Sequence, residues 1–306
     1  MSSHPPRAWT SGAGSAAAPV APGLPATGTL PGEHRGTGLG LPFGSSERTD
    51  AWWVKPLVQA LGLVILLGYA NWAAFLGADH YHFIENGRHY LSPFYSPYVH
   101  PAWLPSWLSP ALLILIVPLG FRATCYYYRK AYYRVFFADP VECAVGEPRK
   151  GYSGEVKFPF VLQNLHRFFL YAAIVLLFIL WWDVIKAFTF ADVSGARFPG
   201  IGGGSLAILA STGLLTFYTL SCHSLRHLVG GKLDCFSCAV AGGPRLKTWG
   251  IVSKLNEHHM GWAWWSLGAV CFADLYVRLC SMGVIEDPLL ATFRHVLDMP
   301  HVGGGP

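Results

Sequence analysis

Charge is scarce in this sequence. Only 13% of its 306 residues are Asp, Glu, Lys or Arg, against 52% hydrophobic residues, which is too little polar surface to cover a soluble domain of this size. The chain reads as an integral membrane protein. Its first fifty residues lack an apolar core of signal-peptide length and are rich in Gly, Pro, Ala and Ser, so residues 1–50 are expected to form a disordered cytoplasmic tail. A disulfide framework also finds no support. The seven cysteines are odd in number, and Cys125, Cys271 and Cys280 lie in or beside apolar runs, where a small buried thiol is the simpler reading.

Five apolar segments have the roughly twenty residues needed to cross a bilayer: about 52–76, 108–128, 165–188, 205–224 and 259–282. The expected fold is an all-α membrane bundle of five transmembrane helices over residues 51–290, with a short tail at 291–306. Net charge is +5, but the Lys and Arg residues cluster in alternate loops. That pattern speaks of topology and not of a nucleic-acid site. Fifteen of them fall before or at the first segment, in 129–157 and in 226–254. The positive-inside rule then places the N-terminus in the cytoplasm and the C-terminus outside.

One stretch departs from this apolar background. In "TLSCHSLRHLVGGKLDCFSC" (219–238), His223 and His227 are four apart and share a helix face. Gly230 and Gly231 then break the helix, and Cys235 and Cys238 follow at the CxxC spacing that lets two thiolates chelate one metal. These four residues make a complete ligand set, with Cys222 and His259 as alternative members. Three readings compete: a closed structural Zn²⁺ site, a Rieske-type [2Fe–2S] centre with two His and two Cys ligands, and a haem b ligated by one of these histidines with His259 or His166. The first two segments hold no histidine in their interiors. Their lack weighs against a pair of haems.

Other polar residues stand at the segment ends. His166, Arg167, Arg226, His258, His259 and Trp262 are candidates to line a quinone site on the cytoplasmic side, where an apolar slot needs a nearby proton donor. Headgroup contact is the competing reading for Arg167 and Arg226. Asp274 and Arg278 lie four apart within the fifth segment, and ionisable groups at that depth point to a proton relay or to a structural ion pair. On the outer side, His80, His82, Glu85 and His89 form a titratable patch.

The stretches "FYTLSCHSLRHLVGGKLDCFSC", "VSKLNEHHMGWAW" and "FADLYVRLCSMGVIED" together resemble the membrane-anchor subunit of bacterial succinate dehydrogenase, in the five-span, single-polypeptide form of the actinobacteria. The resemblance covers about residues 52–290. It implies a partnership with a flavoprotein and an iron–sulfur subunit in the bacterial cytoplasmic membrane, in a higher oligomer for some such complexes, with lipid around the anchor. It also implies passage of electrons to quinone, and a Rieske-type centre where other anchors hold haem b. The positions that match are His223, His227, Cys235 and Cys238.

Overall fold

The computed structural model describes residues 42–75, 79–85, 87–105, 108–138, 141–148, 156–158, 160–192 and 194–293. Most of the tail expected at 1–50, and all but the first residues of that at 291–306, lie outside these. Residues 42–50 dock on the loop after the second segment: Gly44 N donates to Gly146 O (2.9 Å) and Gly146 N to Ser45 O (2.8 Å).

The molecule is mostly helical. Three helices are long and apolar enough to cross a membrane: α1 (Val54–Phe75), α4 (His166–Ala187, entered through a 3₁₀ turn at Phe160–Leu165) and α5 (Gly203–Leu220). A fourth crossing is supplied if α2 (Ala111–Ala123) and the helical segment Tyr126–Phe137, which opens with α3 (Tyr126–Tyr132), count as one span, although they bend by 80°. At 1.5 Å per residue, the 13 residues of α2 reach only about 20 Å. The break is therefore a real end to the helix. After α5 come a short α6 (His223–Arg226), a π turn at His227–Gly231, α7 (Gly242–Glu257) and α8 (His259–Ser281). The α8 helix has 23 residues but does not pass as apolar, because it carries Asp274 and Arg278 on its buried side.

Strands among the loops correct the all-α expectation. A hairpin joins β1 (His82–Glu85) to β2 (Arg88–Leu91), with Glu85 opposite Arg88. The two-residue connection is Asn-Gly, a strong hairpin signal, and Gly87 takes the positive φ (+74°) that such turns need. A second antiparallel sheet runs β3 (Thr189–Ala191), β4 (Arg197–Gly202), β5 (Leu289–Thr292). Asp287 ties both sheets to the bundle. It accepts from Arg88 Nη1 (2.7 Å), Tyr90 Oη (2.9 Å), Tyr276 Oη (2.8 Å) and Gly204 N (2.8 Å). Tyr90 packs so closely on Gly204 that a Cβ there would lie 2.3 Å from its ring.

The core lies along α1, α2, α4, α5 and α8, where α5 and α8 pack most extensively. Its first segment, the end of α2, the start of α4, the end of α5 and the start of α8 all meet at one end of the bundle. The β1–β2 hairpin lies at the other.

Candidate metal centre

Two helix breaks build this end of the bundle. The α2 helix stops at Ala123 and α3 restarts after Cys125, whose backbone is extended (φ −67°, ψ 131°). The α5 helix stops at Leu220 and α6 restarts after Cys222, again extended (φ −63°, ψ 136°). Each cysteine follows a hydroxyl residue, Thr124 and Ser221. Both thiols are buried.

A histidine bridges from each break to the other. His166, the first residue of α4, places Nδ1 3.0 Å from Thr124 Oγ1 and Nε2 3.2 Å from Cys222 Sγ. His259, the first residue of α8, places Nδ1 2.6 Å from Ser221 Oγ and Nε2 3.5 Å from Cys125 Sγ. The hydroxyl protons are already used, since Thr124 donates to Gly120 O (2.7 Å) and Ser221 to Tyr218 O (3.0 Å). Each hydroxyl must then accept from its histidine's Nδ1–H. Both imidazoles are thereby fixed in the tautomer that leaves the Nε2 lone pair facing a sulfur, which is the state in which histidine binds a metal.

Between them lies a cavity of about 370 Å³, lined by Cys125, Arg129, His166, His223 and His259 among others. Among the described residues no three His, Cys, Asp or Glu side chains converge at the spacing of one ion. The four residues instead stand as two His–Cys pairs, of which Cys125, His166 and His259 line the cavity and Cys222 lies behind His166.

Of the four ligands expected from the Cys/His stretch, His223 lines this cavity and His227, Cys235 and Cys238 do not. Cys235 and Cys238 are bonded to each other, with Cα atoms 5.4 Å apart, in a loop where Cys238 is exposed. His223 and His227 are exposed, and His223 Nδ1 lies 3.3 Å from Asn256 Oδ1. The set His223, His227, Cys235 and Cys238 is not brought together. Its two named alternatives, Cys222 and His259, are in the two pairs, with His166, expected as a haem ligand, and Cys125, to which spacing along the chain did not point. The signal available was a hydroxyl–cysteine dipeptide at two helix ends, Thr124–Cys125 and Ser221–Cys222.

Behind the histidines runs a second, elongated cavity with largely apolar walls. Phe121 stacks on His166 (4.7 Å between centroids, 6° between planes) and Tyr218 on His259 (5.1 Å, 26°). Both rings also line the apolar cavity, together with Leu67, Leu177, Arg122 and, at its far end, Ser96. The two cavities are separated by one layer of aromatic rings. Arg122 lies over Tyr218 (4.8 Å) and is anchored by Tyr128 Oη (2.5 Å), Ala263 O (3.0 Å) and Ser266 Oγ (3.0 Å). The candidates Arg167, Arg226, His258 and Trp262 line neither cavity. Arg226 instead donates to Ser253 Oγ (2.8 Å) and covers Trp249, and Trp262 stacks on Phe217 (5.0 Å).

Asp274 and Arg278 are paired at 2.8 Å and fully enclosed. The carboxylate also accepts from Tyr69 Oη (2.5 Å) and Ser92 Oγ, and the guanidinium donates to Asp79 O (2.8 Å) and Ala73 O (3.2 Å). At the hairpin, His82 and His89 bring their Nε2 atoms within 2.6 Å.

Comparison with known proteins agrees with this architecture. Residues 54–283 match the family of actinobacterial succinate dehydrogenase subunit SdhC. A chain of the Mycobacterium smegmatis Sdh1 complex in the apo form is similar at 40% sequence identity and a TM-score of 0.70, over 82% of this chain and 96% of that one. No curated protein sequence matches. A chain matched by that family over most of its helical length, and superimposing so fully on a chain of a solved Sdh complex, belongs to the SdhC family of actinobacterial succinate dehydrogenase membrane-anchor subunits.

Proposed function

We propose that this anchor carries electrons from the iron–sulfur subunit of succinate dehydrogenase to quinone through a [2Fe–2S] centre held by His166, His259, Cys125 and Cys222. The observation that carries the reading is the pair of imidazoles whose Nδ1–H groups are spent on Thr124 and Ser221, leaving both Nε2 atoms turned to buried thiols. Two His and two Cys are the donor set of a Rieske-type centre. A single Zn²⁺ wants four donors around one point, whereas a Rieske-type centre would spread the same four side chains over two irons, both histidines on one and both cysteines on the other. A haem between His166 and His259 would leave both cysteines without a role.

When bound, such a centre supplies one-electron transfer at a potential that imidazole ligation raises towards that of quinones. The chain's own part is positional. Thr124 and Ser221 hold the histidine rings, Phe121 and Tyr218 place the apolar cavity one ring from them, and the Leu-rich walls of that cavity exclude water from a quinone ring. Arg122 presents a fixed positive charge at the near end of the cavity, suited to polarising a quinone oxygen.

The membrane placement follows the same logic. We read α8 as a fifth span, since its 23 residues cover about 35 Å and its ion pair faces inward. The bent α2–α3 pair serves as the second. With Arg129, Lys130, Arg134 and Arg226 at the Cys/His end, that end faces the cytoplasm of a bacterial inner membrane, where the flavoprotein and iron–sulfur subunits dock.

Purified complex separates the readings. Wild type should show a low-g EPR signal on reduction, lost in Cys125→Ser and Cys222→Ser and kept in Cys235→Ser and Cys238→Ser. The opposite pattern overturns this ligand assignment in favour of the CxxC set. Zinc in the anchor without iron would sink the electron-transfer reading, and a sharp visible α-band that disappears in His166→Ala would replace the cluster with haem.

A further inference from the structure

Ser96 closes the end of the apolar cavity remote from the metal centre, and it is buried. Its Oγ donates to Asp183 Oδ2. Asp183 is itself buried, on the last turns of α4, and its other oxygen takes Lys186 Nζ at 2.8 Å. Strand β2 packs against this part of the bundle and carries His89, whose Nε2 meets His82 Nε2 on β1. His82 and Lys186 are partly open to the surroundings. A buried hydroxyl bonded to a buried carboxylate and a pair of touching imidazoles thus lie in succession between the cavity and the hairpin surface, with α4 and β2 packed together between the carboxylate and His89.

We propose that Ser96, Asp183, His89 and His82 form the route by which protons reach a quinone reduced in the apolar cavity, entering from the end of the bundle opposite the metal centre. The proposal rests on reading that cavity as the quinone site. Quinone becomes quinol by taking two electrons, supplied through the iron–sulfur side, and two protons. Ser96 Oγ–H passes its hydrogen to the quinone oxygen that faces it as it accepts one from Asp183, and the oxygen at the opposite end of the ring takes its proton from the Arg122 end of the cavity. The carboxylate regains its proton from His89, which is refilled through His82 from water.

The groups around the imidazoles suit this use. Burial holds His89 below its ordinary pKa, helped by the Lys186 ammonium and opposed by the Asp183 carboxylate. His82 is lowered by burial and by His89. Near neutral pH two uncharged rings share one N–H···N bond, so a proton arriving at one face is passed by leaving at the other. Transfer through Asp183, rather than through the fully bonded Asp274–Arg278 pair, also leaves that pair undisturbed.

The consequence is directional. Electrons enter from one end of the bundle and the proton delivered through Ser96 from the other, so each turnover moves charge across the membrane.

The test uses the whole complex in liposomes, with succinate as donor. In Ser96→Ala and Asp183→Asn, quinone reduction should fall by roughly 100-fold, while succinate still reduces the metal centre and still reduces a water-soluble dye at the soluble subunits. Asp183→Glu should restore much of the rate with a shifted pH profile. Zn²⁺ added on the hairpin side, which paired neutral imidazoles bind, should slow wild type and leave His82→Gln unaffected. An azidoquinone labels the cavity walls if the site is placed correctly. Labelling elsewhere overturns the cavity reading. Labelling of the cavity with wild-type rate and pH profile in Ser96→Ala overturns the proton route alone, and this variant decides the matter should Asp183→Asn fail to assemble.

Discussion

His166 Nε2 lies 3.2 Å from the sulfur of Cys222, a residue 56 positions further along the chain and at the end of another helix. The contact exists because Thr124, on a third helix, takes the ring's other nitrogen. Orientation is thus set by a residue that lines the cavity without being one of the four His and Cys side chains.

That dependence yields the first prediction. Thr124→Val and Ser221→Ala remove the acceptors for Nδ1–H and free each ring to turn or change tautomer. Loss of such a partner ordinarily weakens a metal site by about 10- to 100-fold. Iron content and the EPR amplitude of the purified complex should fall accordingly. Thr124→Ser, which keeps the hydroxyl, should retain both.

The buried ion pair makes a different prediction. Arg278 and Asp274 have every neighbouring donor and acceptor engaged, which is how a static tie between α8, α1 and the loop before α2 looks. Removing one partner leaves an uncompensated charge in the bundle and should cost about 3–5 kcal/mol. Arg278→Leu and Asp274→Asn should each lower the thermal midpoint of the anchor in detergent. The double change Asp274→Asn with Arg278→Gln should recover part of that loss, because no charge is left buried. A proton relay through Asp274 would instead show as an altered pH profile of quinone reduction in a chain that folds normally.

The hairpin should respond to acid. Both His82 and His89 are held below their ordinary pKa, chiefly by burial, so the folded hairpin binds protons less readily than the unfolded chain. Stability from this pair is present above about pH 6.5 and is lost as pH falls through the lowered folded values. The opening free energy read from amide exchange across β1 and β2, after correction for the intrinsic base-catalysed rate, should therefore fall between pH 7.5 and 5. In a variant carrying His82→Gln and His89→Gln it should change little over that interval.

Much of the architecture was open to reading from the chain itself. Apolar segments near 52–76, 165–188 and 205–224 became α1, α4 and α5, because a membrane helix needs only length and apolarity to declare itself. The second segment hid its break. Thr124 and Cys125 look like any small residues in an apolar run, and the bend at that point is imposed by packing against α4 and α8. The hairpin at 82–91 was announced by Asn86–Gly87 and went unread among the aromatic residues of the loop.

The candidate metal residues divide the same way. A cluster in sequence draws attention, and Cys235 with Cys238 formed one; the structure leaves them bonded to each other. Cys125 and His259 are 134 residues apart, a distance over which local spacing carries no information. What links them is the repetition of one local device, a hydroxyl before a cysteine where a helix stops.

That repetition bears on how the subunit is made. Cys125, His166, Cys222 and His259 sit at the ends of four different helices, and hydrogen bonds through Thr124 and Ser221 join these ends beside the stacked rings of Phe121 and Tyr218. A group placed among them acts as a clasp on a bundle already inserted in lipid. On the proposed reading, such a group would have to enter before soluble subunits cover this end, so the order of the complex's biogenesis would follow from the position of four helix termini.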